Sequence, residues 1–344
     1  MTGDRSKVPR QSANRWSNRL AWVLACVTFL LIVVGGTVTT YDVGLAIRDW
    51  PTAEGYWFYP LPQWLAADWD VFLEQGHRML AQGVGLVGIA LTAALWRLDR
   101  RKWIRWLGAV ALAGVILQGT LGGLRVLGDD LLLAKVHGCT APLFFACSAA
   151  LVTLTSRRWQ QDDEPEAGLV CHWRDASATG RPYRLTLMLT LLLTVALYLQ
   201  IVLGAQIRHL PPACRPGWSV LWVWLKLIAA GLIVLGIVWL LIHVWRTNLR
   251  SVPARHRAAL VRRAGLLAAL FIVQLLLGAG TWVTNFGLPA WFKDCVWAPP
   301  YTVVAEGRWQ VVTTTAHAAG GSLTLAAALS LLLWSRRLLR GAPR

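Results

Sequence analysis

Charge is what this chain has least of. Only 15% of its 344 residues are Asp, Glu, Lys or Arg, against about 25% in a soluble globular domain. Hydrophobic residues make up 56%, and the mean hydropathy is +0.48. A water-soluble core has no place for so much apolar side chain, whereas a bilayer does. Acids are scarcer than bases, 17 against 34, for a net charge of +17. Nucleic-acid binding would need that charge on one structured face; here it sits at the ends of apolar runs, which argues against it. The short alternating runs of barrel strands are also missing. So is a clear cleavage site after the first apolar run, which is too long for a signal-peptide core and reads as a helix.

What remains is a set of long apolar stretches. A crossing needs about 20 mostly apolar residues, and eight runs qualify, at roughly 20–41, 74–97, 103–126, 132–156, 184–207, 219–246, 264–284 and 310–335. Backbone in lipid must satisfy its own hydrogen bonds, so runs of this length are helices. The expectation is an all-α membrane protein with eight transmembrane helices in the lipid bilayer. The N-terminus, the connections after the second, fourth and sixth runs, and the C-terminus hold 25 of the 34 Lys and Arg but 7 of the 17 acids. The positive-inside rule makes that side cytoplasmic and places both termini there. Trp is abundant, with 21 residues; Trp103, Trp106, Trp218, Trp245 and Trp309 fall near run ends, where interface anchors belong.

The chain also repeats itself. Gln118-Gly119-Thr120-Leu121-Gly122-Gly123, Gln200-Ile201-Val202-Leu203-Gly204-Ala205 and Gln274-Leu275-Leu276-Leu277-Gly278-Ala279 end the third, fifth and seventh runs. A degenerate copy, Leu31-Ile32-Val33-Val34-Gly35-Gly36, ends the first. Four copies of a helical hairpin result, grouped as two pseudo-symmetric four-helix bundles. The expected organisation is a cytoplasmic tail (1–19), a first half (20–156), a cytoplasmic linker (157–183), a second half (184–335) and a tail (336–344). Small residues let helices approach closely and also leave room beside a planar ligand.

Seven histidines are present. His172 and His256 lie among loop charges and read as solvated, and His243 reads as a snorkelling interface residue. His77, His137 and His317 fall in the outer thirds of the second, fourth and eighth runs, and His209 just after the fifth. An ionisable residue inside the membrane is a functional candidate by default. Imidazole can ligate haem iron through one nitrogen while the other is hydrogen-bonded. Glu74 precedes His77 by three residues, on the same helix face. It could move protons beside an iron site, or serve as a helix N-terminal acid. Arg78 could pair with a haem propionate or anchor the interface.

Taken together these motifs resemble the haem A synthase family. The resemblance rests on Gly44-Leu45-Ala46-Ile47-Arg48-Asp49-Trp50-Pro51-Thr52, on Glu74-Gln75-Gly76-His77-Arg78, on the Gln118 and Gln200 repeats, and on His137 and His317. It spans about 20–335. It implies oxidation of a methyl group of haem O to the formyl group of haem A, with water as the oxygen source. It places substrate haem in the first half, with His77 and His137 near its iron and Glu74 in catalysis, and haem b in the second half on His317. It also implies a bacterial cytoplasmic membrane, and haem O synthase and oxidase assembly factors as partners.

Two positions depart from the family. Lys226 takes the place of a second haem-b histidine. Lysine ligation, a five-coordinate haem on His317, ligation by His209, or no haem in that half all remain open. The cysteine pair that some family members carry in the first outer loop is absent, since no Cys occurs from 41 to 73. Cys214 and Cys295 both fall in outer loops of the second half, where a disulfide is permitted. Cys26, Cys139 and Cys147 lie inside helices and read as small packing residues. Two other classes fit less well. A non-catalytic membrane cytochrome b, passing electrons to or from quinol, needs the histidines but not Glu74. A repeat-built transporter would carry intramembrane acids and broken helices, which are scarce.

Overall fold

A computed structural model describes residues 15–161, 181–209, 216–246, 254–288 and 303–340. Among them, eight helices are long and apolar enough to cross a membrane. They are α1 (Arg15–Thr40), α2 (Trp69–Leu98), α3 (Lys102–Gly128), α4 (Leu131–Thr155), α5 (Arg181–Arg208), α6 (Pro216–Arg246), α7 (Ala254–Phe286) and α8 (Arg308–Arg340). Short helical turns at Leu61–Leu65 and Arg157–Gln161 complete the set. The chain is an all-α membrane protein.

The helices outrun the apolar stretches that mark them. α7 begins at Ala254 rather than near 264, and α8 runs on to Arg340. Each has 33 residues, about 50 Å of helix against a hydrocarbon core of about 30 Å. Hydropathy locates only the part in lipid. The helical hydrogen bonds continue into the interface, where Arg262 and Arg263 of α7 belong.

Local chemistry sets the tight turns. Asp129 adopts a left-handed conformation at the end of α3 (φ 46°). The Asp130 side chain then caps α4 by accepting from the Leu132 and Leu133 amides. Two residues thus reverse the chain, and α3 and α4 pack as antiparallel neighbours. Between α2 and α3, Asp99 pairs with Arg101, whose Nη1 donates to the Leu154 carbonyl of α4.

α1 packs on α2 and α4, and α3 closes that ring between them. α5 packs on α6 and α8, and α7 closes the second ring on α8 and α6. The rings meet where α1 and α4 lie against α8. The well-filled core is not central. Leu24, Leu91, Leu95, Ile104, Leu240 and Leu331, all fully buried, lie toward the face where α1 begins and α8 ends. That face is closed further by Trp159 edge-on to Trp334, with Arg337 over Trp159 at 4.4 Å and Arg263 over Trp334 at 4.5 Å. Asn18 of α1 adds hydrogen bonds to the Val152 carbonyl and Thr155 hydroxyl of α4.

Outward-facing leucines such as Leu86, Leu232 and Leu276, all about two-thirds exposed, are what a helix presents to lipid. Trp103, Trp106, Trp245 and Trp309 are exposed near helix ends, as interfacial anchors are; the Trp218 side chain lies outside the described residues. His243 does more than reach for the interface: its Nε2 hydrogen-bonds the Thr186 hydroxyl of α5 at 3.2 Å. Cys139 and Cys147 are half-buried, whereas Cys26 is exposed on α1 rather than packed, and all three are free thiols.

Candidate functional site

At the face opposite the packed core, the helices part around a cavity of about 1210 Å³. Typical small-molecule pockets hold about 300–1000 Å³. Glu74, His77, His137, His209, Lys226 and His317 all line it, as does Arg78. The sequence-predicted site residues therefore converge, with one exception: Cys214 and Cys295 lie outside the described residues.

The repeat explains the convergence. Each even-numbered helix carries one long nitrogen-bearing side chain that packs on a glycine of the preceding odd-numbered helix. A Cβ at Gly35 of α1 would stand 2.7 Å from His77 Cε1, one at Gly122 of α3 3.3 Å from His137 Cε1, and one at Gly278 of α7 3.2 Å from His317 Cε1. In the fourth copy a Cβ at Gly204 of α5 would stand 3.0 Å from Lys226 Nζ. Glycine is needed there because the side chain across the hairpin takes the space. Gln118 and Gln274, one turn before Gly122 and Gly278, present backbone carbonyls to the His137 and His317 rings. Even so, Nδ1 of His137 is buried without a hydrogen bond of standard geometry, and so is Nδ1 of His77.

Buried imidazole nitrogens without partners suit a ligand that supplies one. Among the described residues no cluster of three or more His, Cys, Asp or Glu side chains could hold a bare metal ion. Haem iron needs only one or two protein ligands, and facing helices of a bundle can supply them. The donor set and the glycine cradles fit haem.

The loop 41–68 covers the first ring and is fastened from below. Glu74 is almost fully buried. Its Oε2 accepts from the Ile47 amide at 2.9 Å and its Oε1 from Arg78 Nη2 at 2.8 Å. Arg78 also donates to the Ile47, Asp49 and Thr52 carbonyls. Its terminal nitrogens are thus engaged with the loop, and a propionate would have to compete for them. Trp50 of the loop lies against Gly123 of α3.

Asp49 organises the loop tip, accepting from the Thr52 hydroxyl and the Glu54 and Gly55 amides. Burial works to raise its pKa, but those hydrogen bonds outweigh it and bring the value down to about 2. The unfolded value is about 3.9. The carboxylate's contribution to loop order is therefore fully present above about pH 4 and lost as pH falls through about 2. Asp49→Ala should remove it at all pH values. Amide exchange at Glu54 and Gly55 is expected to speed up about tenfold near neutral pH in the variant; unchanged protection would show that the tip is held otherwise.

Two residues escaped the sequence reading. Arg125 of α3 lines the cavity and reaches the Gly44 carbonyl. Arg208 of α5 also lines it, donating to the Gly36 carbonyl at 2.8 Å and to the Thr40 hydroxyl of α1. Neither forms an ion pair among the described residues. Glu74, Asp42 and Asp129 act on Arg125 from beyond contact distance, whereas burial alone acts on Arg208; a buried cation with no carboxylate in contact is costly, so both are suited to an anionic ligand. The available signal was position: Arg125 and Arg208 each follow a repeat glycine, Gly122 and Gly204, by about one turn.

Known proteins resemble this chain in sequence. A family model described as cytochrome oxidase assembly protein, COX15-CtaA, matches residues 18–214. A protein of Rhizorhabdus wittichii named Heme A synthase is 27% identical, over 82% of this chain and 89% of its own length. A Heme A synthase of Exiguobacterium sp. is 26% identical, over 78% of this chain and 84% of its own. One of Methylobacterium sp. is 28% identical, over 82% and 86%.

Proposed function

The chain belongs to the COX15-CtaA family of cytochrome oxidase assembly proteins, and on that premise we propose that it is a haem A synthase. It oxidises a methyl group of haem O to the formyl group of haem A, with water as the oxygen source, in a bacterial cytoplasmic membrane with both termini inside. The observation that carries this reading is the repeated pairing of a cavity-lining histidine with a helix glycine, at His77–Gly35, His137–Gly122 and His317–Gly278.

The first ring takes the substrate. His77 and His137 would hold haem O by its iron, which would occupy imidazole nitrogens that the fold leaves without partners. Glu74 lies on the same helix face as His77, one turn before it. Taking hydride or electrons from a ring methyl builds positive character beside the macrocycle, which the Glu74 carboxylate stabilises while accepting protons. The same carboxylate holds the loop that excludes bulk water. Arg125 and Arg208 receive propionates at the cavity mouth, and Arg78 secures the loop.

The second ring takes haem b, with His317 as a ligand seated over Gly278. When bound, that haem supplies one-electron transfer to an external acceptor. Haem O synthase is the natural donor of substrate, and oxidase assembly factors are the recipients of product.

Extraction and chromatography of pigment from the purified protein test the reading. Haem O or haem A beside haem b is the expected result. Haem b alone would turn the assignment toward a non-catalytic cytochrome, and colourless protein would end it.

A further inference from the structure

We propose that Lys226 is an axial ligand of the second-ring haem, so that one iron is held between the Lys226 amine and the His317 imidazole. The inference rests on the haem reading above and extends it to a ligand set that the other three hairpins do not have.

Register is the first support. Three hairpins place an imidazole carbon about 3 Å from the position a Cβ on the partner glycine would take, and the fourth places Lys226 Nζ there, at 3.0 Å. The amine nitrogen thus stands where the other copies put their ring. The backbone around it keeps the pattern. Gln200 donates from Nε2 to the Lys226 carbonyl at 3.0 Å, tying α5 to α6. Gln118, its counterpart in the repeat, ties α3 to α4 through the Thr140 hydroxyl beside His137. The hairpin is preserved and the ligand atom alone is exchanged.

Partners are the second support. Among the described residues, Lys226 Nζ has no carboxylate in ion-pair range and no hydrogen bond. An ammonium facing an apolar cavity without a counter-ion is unfavourable. Losing its proton to water frees a lone pair, and the nitrogen–iron bond then takes the proton's place, as for any ligand that must bind deprotonated. His317 lines the same cavity and lies close enough to Lys226 for the two to interact electrostatically. His209, at the end of α5, lines the cavity too, but its register has no counterpart among the glycine-seated side chains.

The test uses full-length protein in detergent, in a His77→Ala, His137→Ala background so that bound haem reports on the second ring. Expected is a six-coordinate, low-spin ferric haem whose near-infrared charge-transfer band and electron paramagnetic resonance signal are those of amine–imidazole ligation. Lys226→Leu should convert most of the bound haem to high spin, and Lys226→Arg should do the same, since guanidinium does not ligate. Lys226→His should restore a low-spin, bis-imidazole spectrum with haem retained. A low-spin signal that survives both Lys226→Leu and Lys226→Arg overturns the proposal, and so does a wild type that is already high spin. A wild-type spectrum kept in Lys226→Arg but lost in Lys226→Leu would mark the lysine as a propionate partner and likewise overturn it. Haem content measured in parallel separates the outcomes: haem present but insensitive to Lys226 sinks this inference alone, whereas no haem in any variant sinks the haem reading itself.

Discussion

Glu74→Gln is expected to lower haem O oxidation by about 100-fold or more, the lower end of what a positioned acid or base contributes, while bound haem stays near the wild-type amount. The two oxygens of Glu74 have different duties in the fold. Oε2 accepts from the Ile47 amide and Oε1 from Arg78. A glutamine can serve one donor with its carbonyl, but it presents an N–H to the other, so one bond is lost while the side chain keeps its volume. Glu74→Ala goes further and leaves the half-buried Arg78 without its carboxylate. Removing one member of a buried pair costs about 3–5 kcal/mol, and the loop should loosen as well. The pair of variants therefore separates the two roles. Turnover lost in Glu74→Gln, with the loop amides still protected from exchange, marks a catalytic carboxylate. Turnover retained in Glu74→Gln and lost only in Glu74→Ala would make Glu74 a fastening for the loop and nothing more.

That double duty was only half legible in the sequence. The spacing of Glu74, His77 and Arg78 on one helix face can be read from periodicity alone, and so can the eight crossings, because lipid leaves the backbone few options. Partners far along the chain cannot. Nothing in the order of residues says that Arg78 spends its guanidinium on carbonyls 26 to 31 positions away, so it reads as an anchor or a propionate ligand. Arg125 and Arg208 were passed over for a related reason: a basic residue near a helix end is normally an interfacial anchor, and only the closed ring turns these two inward. The glycines show the opposite case. The copy in α1 is degenerate as a motif, yet Gly35 holds the same relation to His77 that Gly122 and Gly278 hold to theirs. Geometry keeps the element that matters where the flanking glutamine is absent. The helix ends were misjudged because hydropathy reports the lipid and not the hydrogen bonds.

The division of the molecule follows from where it is filled. Packed leucines and the Trp159–Trp334 cluster close the face where α1 begins and α8 ends, while the repeat glycines keep the other face open. Proteins of this size normally fill such gaps, since every void forfeits contacts. Eight helices therefore share one packed base and one open mouth, and a change at the mouth need not disturb the base.

Gly35→Ala exploits that separation and is expected to reduce haem O turnover by about 100-fold. The new methyl would sit 2.7 Å from His77 Cε1, closer than carbon atoms tolerate, so the imidazole must move. A misplacement of about 1 Å in a reacting constellation can cost about 100-fold. The loss would not come from a weaker helix, because alanine favours helix over glycine by about 1 kcal/mol. Gly85→Ala on α2 is the matched control: a Cβ there meets nothing within 4 Å, and its turnover should stay within about twofold of wild type. Gly278→Ala places a methyl 3.2 Å from His317 and should disturb the spectrum of the second-ring haem while leaving substrate binding in the first ring intact. If Gly35→Ala turns over haem O normally and binds it as tightly as the parent, His77 does not need its seat on α1. The pairing of nitrogen ligand with glycine would then be a packing pattern, and the iron would have to be held in some other way.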